Sequence, residues 1–221
     1  MTPPRANAGF AARMEDVLEV YARTPDAARP LVCFDETGKD LKAHVRPPQN
    51  AAPGRPARQD NEYARNGSAN LFLACAPHLG WREARVTDRR RAVDAAYALR
   101  DLVDAQFPAA ACIVLVTDNL NVHTPAALYE TFPAAEARRI AARIEWHYTP
   151  THGSWLNMAE IELSVLTRQC LDRRIPDRET LATEVAAWVE RRNAARTPID
   201  WRFTLEVARV RLAHVYPVRE T

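Results

Sequence analysis

Residues 110–118, AACIVLVTD, form the most continuously apolar stretch of the chain and end in a carboxylate, Asp118. Short, rich in β-branched residues, and bounded by Pro108 and the Asp118-Asn119 pair, the stretch predicts an inner strand covered on both faces. Downstream, Thr124 and Pro125 suit the cap and first position of a helix over Ala126–Phe132. A helix over Ala134–Arg143, a strand over Ile144–Tyr148 and a helix over Trp155–Leu171, capped by Ser154, follow. A last clear helix runs from Asp177 to Arg192 with Leu181, Val185, Trp188 and Val189 on one face, before a mixed tail over residues 197–221 that docks on the body.

Upstream, Asp88 is placed to cap a helix in which Val93, Ala96, Tyr97, Val103 and Phe107 recur at helical spacing. Ala69–Ala76 has the composition of a buried strand, with Trp81–Val86 as its partner across Pro77–Gly80. Leu31–Phe34 is a short strand whose hairpin partner is expected at Asp40–Val45, across a Thr37-Gly38 turn. The proline-rich stretch Pro47–Arg58 reads as an exposed loop, and residues 1–30 as a leader or linker remnant holding a short helix over Met14–Tyr21. Strands and helices in this order predict an α/β domain with a mixed sheet covered by helices.

A chain of 221 residues supplies one substantial core. Hydrophobic types make up 47% and charged types 26%, a soluble globular balance, and no apolar run approaches the roughly 18–20 residues of a membrane span. With no signal sequence at its start, the chain is expected in the cytoplasm. The net charge of +2 says little about partners, but of 30 basic residues only Lys39 and Lys42 are lysines, and arginine suits phosphate oxygens. Cys33, Cys75, Cys112 and Cys170 are isolated, which excludes a CxxC motif and a dense disulfide framework and suggests reduced core fillers. Neither nucleotide-binding glycine fingerprint is present, and the nucleophile elbow of serine hydrolases is missing too. His147 and His152 lack further ligands at a zinc-like spacing.

Two predicted strands end in aspartate, Asp35 in CFDE and Asp118 in LVTDN. If those strands are neighbours, the carboxylates meet at one sheet edge, where like charges resist joint ionisation and a divalent cation with oxygen preference stabilises them. On the Trp155 helix, Asn157, Glu160 and Ser164 share one stripe beside an apolar stripe of Met158, Ile161 and Val165, so Glu160 is available as a third acid while Glu162 points elsewhere. Three acids on two strands and a helix suit a pair of metal ions and phosphodiester chemistry. His123 and Asn119 lie close enough in sequence to assist a carboxylate or a substrate phosphate, though each also suits a helix start or a turn.

The words VCFDETGKDL, NEYARNGSANLFL, VLVTDNLNVHTPAALY and HYTPTHGSWLNMAEIELSVLTRQCLDRRIPD closely resemble the DDE endonuclease domain of bacterial insertion-sequence transposases of the mariner-like branch. The resemblance spans roughly residues 30–216. It implies an RNase H-like sheet of about five strands flanked by helices, with a catalytic domain over 31–216 and a tail over 217–221. It also implies Asp35, Asp118 and Glu160 as catalytic, metal-binding acids for two Mg²⁺ ions (or Mn²⁺), accompanied by Glu36, Asn119, His123 and Asn157. The activity implied is hydrolysis and strand transfer on double-stranded DNA, at transposon ends and target, by a homo-oligomer in a synaptic complex associated with the nucleoid.

Residues 1–30 are too few for the helix-turn-helix module of full-length relatives, so an isolated catalytic domain, a decayed copy or a partner protein from an upstream frame is expected. DNA backbone contacts are expected from Arg46, Arg55, Arg58, Arg65, Arg89, Arg90 and Arg91, since phosphates position and base edges specify. The competing expectations are an RNase H-like nuclease without transposition and a catalytically inactive DNA-binding or regulatory fragment.

Overall fold

The computed structural model describes residues 6–58, 60–118 and 123–217. Five strands, β1 (Leu31–His44), β2 (Tyr63–Ala76), β3 (Trp81–Thr87), β4 (Ile113–Thr117) and β5 (Ile144–Tyr148), form one sheet in the order β3-β2-β1-β4-β5. β2 runs antiparallel to both β1 and β3, whereas β1, β4 and β5 are mutually parallel, so the sheet is mixed and of the RNase H-like α/β kind. Helices cover both faces: α1 (Ala8–Ala22), α5 (Met158–Leu166), α6 (Arg178–Ala195) and α7 (Leu205–Arg211) on one, α2 (Ala92–Asp101), α3 (Pro125–Thr131) and α4 (Ala134–Ala141) on the other.

Strand alternation builds the two cores. In β4, Val114 and Val116 face the α1/α5 layer while Ile113 and Leu115 face the α2/α4 layer. In β2, Leu71, Leu73 and Cys75 alternate in the same way with Phe72, Ala74 and Ala76. Because every residue of β4 is buried, its sequence reads as an unbroken apolar run.

Several local expectations are corrected. Leu31–Phe34 and Asp40–Val45 do not form a hairpin, because Thr37 and Gly38 are extended and pair with Leu71 and Asn70 inside one long strand. The chain reverses instead in the proline-rich loop, between the ends of β1 and β2. A bulge between Asp40 and Lys42 takes up an extra residue of β2, and Gly67 there adopts φ 86°, which side-chain-bearing residues avoid. The segment after α5 braces this ribbon, with the Lys39 ammonium donating to the carbonyl oxygens of Leu171 and Arg173 and the Lys42 amide donating to Ile175 (2.8 Å).

Asp88 does not cap α2; it pairs with Arg178 (3.2 Å), and the helix begins after Arg91, whose amide donates to Asp94. Ser154 belongs to a 3₁₀ turn over Ser154–Leu156, and Asn157 is the true cap of α5, its side chain accepting from the Ala159 amide. Ile161, expected on the apolar stripe, is exposed, and Glu162, which points elsewhere than Glu160 as expected, is buried against Arg82 and Arg192. Helix α1 is longer than the sequence suggests and packs Phe10, Met14, Val17, Leu18 and Tyr21 into the core. The Tyr21 hydroxyl donates to the Leu156 carbonyl (2.8 Å) and accepts from the Met158 amide (3.3 Å), tying α1 to the start of α5. Trp201, Phe203, Leu205 and Leu212 of the tail pack against the same core. No helix among the described residues is long and apolar enough to cross a membrane.

Candidate active site

The parallel pairing of β1 with β4 decides where the acids meet. The ladder between them ends at Cys33 and Val116, so Asp35 and Asp118 each stand two residues further along neighbouring parallel strands, at the carboxyl-terminal edge. In sheets of this type that edge is where ligands bind. Glu160 enters from above, in the first turn of α5.

Asn157 holds these elements together. Fully buried, its amide nitrogen donates to the Phe34 carbonyl (2.9 Å) and to Asp35 Oδ2 (3.2 Å), while its oxygen caps α5. One side chain therefore fixes the start of the Glu160 helix to the strand that carries Asp35. The Glu36 amide donates to Asp35 Oδ1 (2.8 Å), so both oxygens of this carboxyl are held.

Burial is the main reason that the Asp35 carboxyl is pushed up to about 7; the Glu36 amide opposes the rise, and the charges of Glu160, Asp118 and Glu36 add to it. The field of the other acids is thus felt directly at Asp35. His123 shows the opposite balance. Burial pushes its imidazole down, but contacts with Asp118 and Glu36 outweigh burial and raise it to about 9, so the ring is cationic at neutral pH. Its Nδ1 lies 2.5 Å from Asp118 Oδ1 and 3.1 Å from Thr117 Oγ1, and its edge packs on the Phe34 ring. Its Nε2 approaches Glu36 Oε2 to 2.6 Å, off the line of a good hydrogen bond, so that contact is best described as an ion pair.

Four carboxylates, Asp35, Glu36, Asp118 and Glu160, share this edge. His123 serves Asp118 and Glu36, and Arg90 adds a second contact to Glu36, but no basic side chain pairs with Asp35 among the described residues. An oxygen-rich, negatively charged and partly buried set of this kind has the chemistry of a site for a hard divalent cation. Among the described residues, no three His, Cys, Asp or Glu side chains stand close enough together to form a finished metal cage. Asn119, expected beside the acids, lies outside the described residues.

The arginines expected at DNA fall into two groups. Arg46, Arg55, Arg58 and Arg65 are exposed on the loop and ribbon between β1 and β2, with Arg46 3.6 Å from Asp60. Arg89, Arg90 and Arg91 are exposed between β3 and α2, but Arg90 also reaches inward to Glu36. His147 is held by Asp16 (2.8 Å) and Glu145 (2.9 Å), tying β5 to α1. The sequence does not announce the inward turn of Arg90 or the double duty of Asn157, since each depends on a contact between distant segments. The alternation of β1 does carry a signal for Glu36: Val32 and Phe34 lie on the same face, toward the α2 layer.

A family model of DDE superfamily endonucleases matches residues 30–182. Comparison with curated protein sequences returns no match. Among solved structures, the Mos1 strand transfer complex aligns with TM-score 0.57 at 16% identity, covering 82% of this chain and 53% of that one. The Mos1 mariner paired end complex with Mn gives 0.54 at 18% identity, over 86% and 58%. The corresponding complex with Mg gives 0.54 at 16% identity, over 99% and 66%. At these identities the likeness is one of fold. The chain spans between about half and two thirds of the length of those relatives.

Proposed function

The chain belongs to the DDE superfamily endonuclease family, and on that premise we propose that it is a transposase catalytic domain that cuts and joins DNA at transposon ends. The observation that carries the reading is the convergence on Asp35: a buried carboxyl, without a basic partner among the described residues, placed in the field of Asp118 and Glu160. Likeness of fold to Mos1 complexes containing Mn or Mg supports the same metals here. Asp35, Asp118 and Glu160 would hold two Mg²⁺ or Mn²⁺ ions. Such ions, when bound, make an attacking water or 3′-hydroxyl more nucleophilic and take up charge on the leaving oxygen.

The chain's own groups have separable tasks. Asn157 and the Glu36 amide keep the Asp35 carboxyl oriented, and His123 holds Oδ1 of Asp118. Water attacks the scissile phosphodiester in the first displacement. The released 3′-hydroxyl attacks target DNA in the second, and two ends are joined by a homo-oligomeric synaptic assembly. The test is Mg²⁺-dependent nicking of a duplex carrying the element's terminal repeat, with strand-transfer products separating a transposase from a simple nuclease. No nicking with either metal would remove the proposal.

One observation favours a second reading, a catalytically silent DNA-binding fragment: the acids do not form a finished cage among the described residues. That reading requires binding without cleavage, unaffected by substitution of the acids.

DNA binding, in either case, is expected to depend on salt through the exposed arginines. Replacing Arg46, Arg55, Arg58 and Arg65 together by Gln should flatten the slope of log affinity against log salt by up to about 4, near one per released phosphate contact. A gel-shift series from low to physiological salt measures this, and an unchanged slope would take the β1–β2 arm off the DNA.

A further inference from the structure

We propose that Arg90 is a positioning residue, reaching in from the loop after β3 to hold Glu36 and, through Glu36 and His123, to orient Asp118. The inference rests on the reading of Asp118 as a catalytic acid and assigns Arg90 a task other than gripping the DNA backbone.

Four groups of alternating sign form a continuous line from solvent to the second acid. Arg90 is 53% exposed in its side chain, and its Nη1 lies 3.1 Å from Glu36 Oε1. The Glu36 side chain is 1% exposed, with Oε2 against His123 Nε2 at 2.6 Å. His123 is wholly buried and turns its other nitrogen to Asp118 Oδ1 at 2.5 Å. Thr117 Oγ1, 3.1 Å from the same nitrogen, and the Phe34 ring, packed edge-on, complete its surroundings. Arg89 and Arg91, on either side of Arg90, are exposed, and no ion pair to a buried acid is formed by either among the described residues.

Charge balance explains why the line needs its outer member. A carboxylate enclosed as Glu36 is must be paired, because an ion out of water without a partner is strongly disfavoured. His123 alone would have to satisfy Glu36 and Asp118 with one positive charge. Arg90 supplies the second charge from the solvent side, without entering the core, and leaves the imidazole free to commit Nδ1 to Asp118. When Arg90 is removed, two carboxylates compete for one ring, and the orientation of Asp118 is no longer unique. Groups that orient ligating side chains in this way commonly matter as much to metal affinity as to structure.

The test has two arms. In the metal-free, DNA-free protein, labelled-histidine NMR reads the His123 ring directly. Arg90→Ala and Glu36→Gln should each shift or broaden the Nε2 proton signal beyond detection, and Arg90→Lys, which keeps a point charge, should retain it. Adding Arg90→Ala to the Glu36→Gln protein should change nothing more. In the cleavage assay, Arg90→Ala should raise the Mg²⁺ concentration for half-maximal rate about 10-fold or more, the usual scale for loss of a group behind the ligands, with little change in DNA affinity by gel shift. Circular dichroism checks that each variant is folded. An unaltered His123 signal in the folded Arg90→Ala protein would overturn the proposal. So would a loss of DNA affinity that matches the loss of cleavage at unchanged Mg²⁺ dependence, since that marks a plain phosphate contact. If the wild-type protein itself does not cleave, the transposase reading fails and the NMR arm alone decides what Arg90 does.

Discussion

The Asp35→Asn protein is expected to lose DNA cleavage and, at pH 8 without divalent metal, to be harder to unfold than the wild type. The two effects have one cause. Asp35 is held where a negative charge is disfavoured by burial and by Glu160, Asp118 and Glu36, which brings its carboxyl to about 7. An acid raised in this way contributes its full stability below the ordinary carboxylate range near 4. That contribution is lost as pH rises through about 7, because the folded protein must then carry an ion that the unfolded chain carries more easily. The gap corresponds to roughly 4 kcal/mol, from which about 1–2 kcal/mol is subtracted for the disturbed contact with Asn157. A net gain of about 2 kcal/mol remains for the variant at pH 8.

Denaturant melts at pH 5 and pH 8 in chelator measure the effect. The gain should be smaller or absent at pH 5, where Asp35 is protonated in the fold. Mg²⁺ should stabilise the wild type more than the variant, because a ligand stabilises only the state that binds it. Cleavage should fall by about 10³-fold or more, as expected when several kcal/mol of charge stabilisation is removed at about 1.4 kcal/mol per tenfold. Equal stability of the two proteins at both pH values would mean that Asp35 is not under the electrostatic stress described, and the metal-site reading would lose its main support.

The candidate acids stand out in the sequence because the signals involved are local. An apolar run ending in Asp118, a second ending in Asp35, and a glutamate in the first turn of a helix are each visible within a few residues. What the runs do not contain is their pairing: that β1 and β4 are adjacent and parallel follows from the fold as a whole. The same limit explains the errors. The Thr37-Gly38 pair has turn composition, yet the register with Leu71 and Asn70 draws it into the strand, so tertiary pairing overrides local preference. Ser154 precedes the apolar helix as a cap should, but the chain makes a 3₁₀ turn first, and the cap passes to Asn157, which also reaches β1. Glu162 could not be told from a surface glutamate because its partners lie far along the chain, one before it on β3 and one after it on α6.

That buried pair sets the second large expectation: Arg82→Ala should destabilise the fold by about 3–5 kcal/mol, the scale for breaking a buried ion pair by removing one partner. Arg82 and Glu162 are each 1% exposed and meet at 2.7 Å. Arg82 also donates to the carbonyl oxygens of Gly80 (2.5 Å) and Thr197 (2.6 Å), and its backbone exchanges two hydrogen bonds with the Asn193 amide. Arg192 donates to the same oxygen, Glu162 Oε1, at 2.9 Å. Burial pushes the Glu162 carboxyl up, but the two guanidinium groups overcome that and hold it below its ordinary range. Truncation at 82 would thus leave the buried Glu162 carboxylate to Arg192 alone and release β3, α5 and α6 from one another. Since Glu162 is on α5 with Glu160, loss of this anchor should loosen the third acid as well, and cleavage should fall with stability. The double replacement Arg82→Met with Glu162→Met removes that carboxylate as well and should recover a large part of the lost stability, because apolar side chains of similar size substitute well for a buried pair. Urea melts of the single and double variants decide the matter: if the double is as unstable as the single, the carboxylate is not the source of the cost, and packing or the lost carbonyl contacts of Arg82 must be.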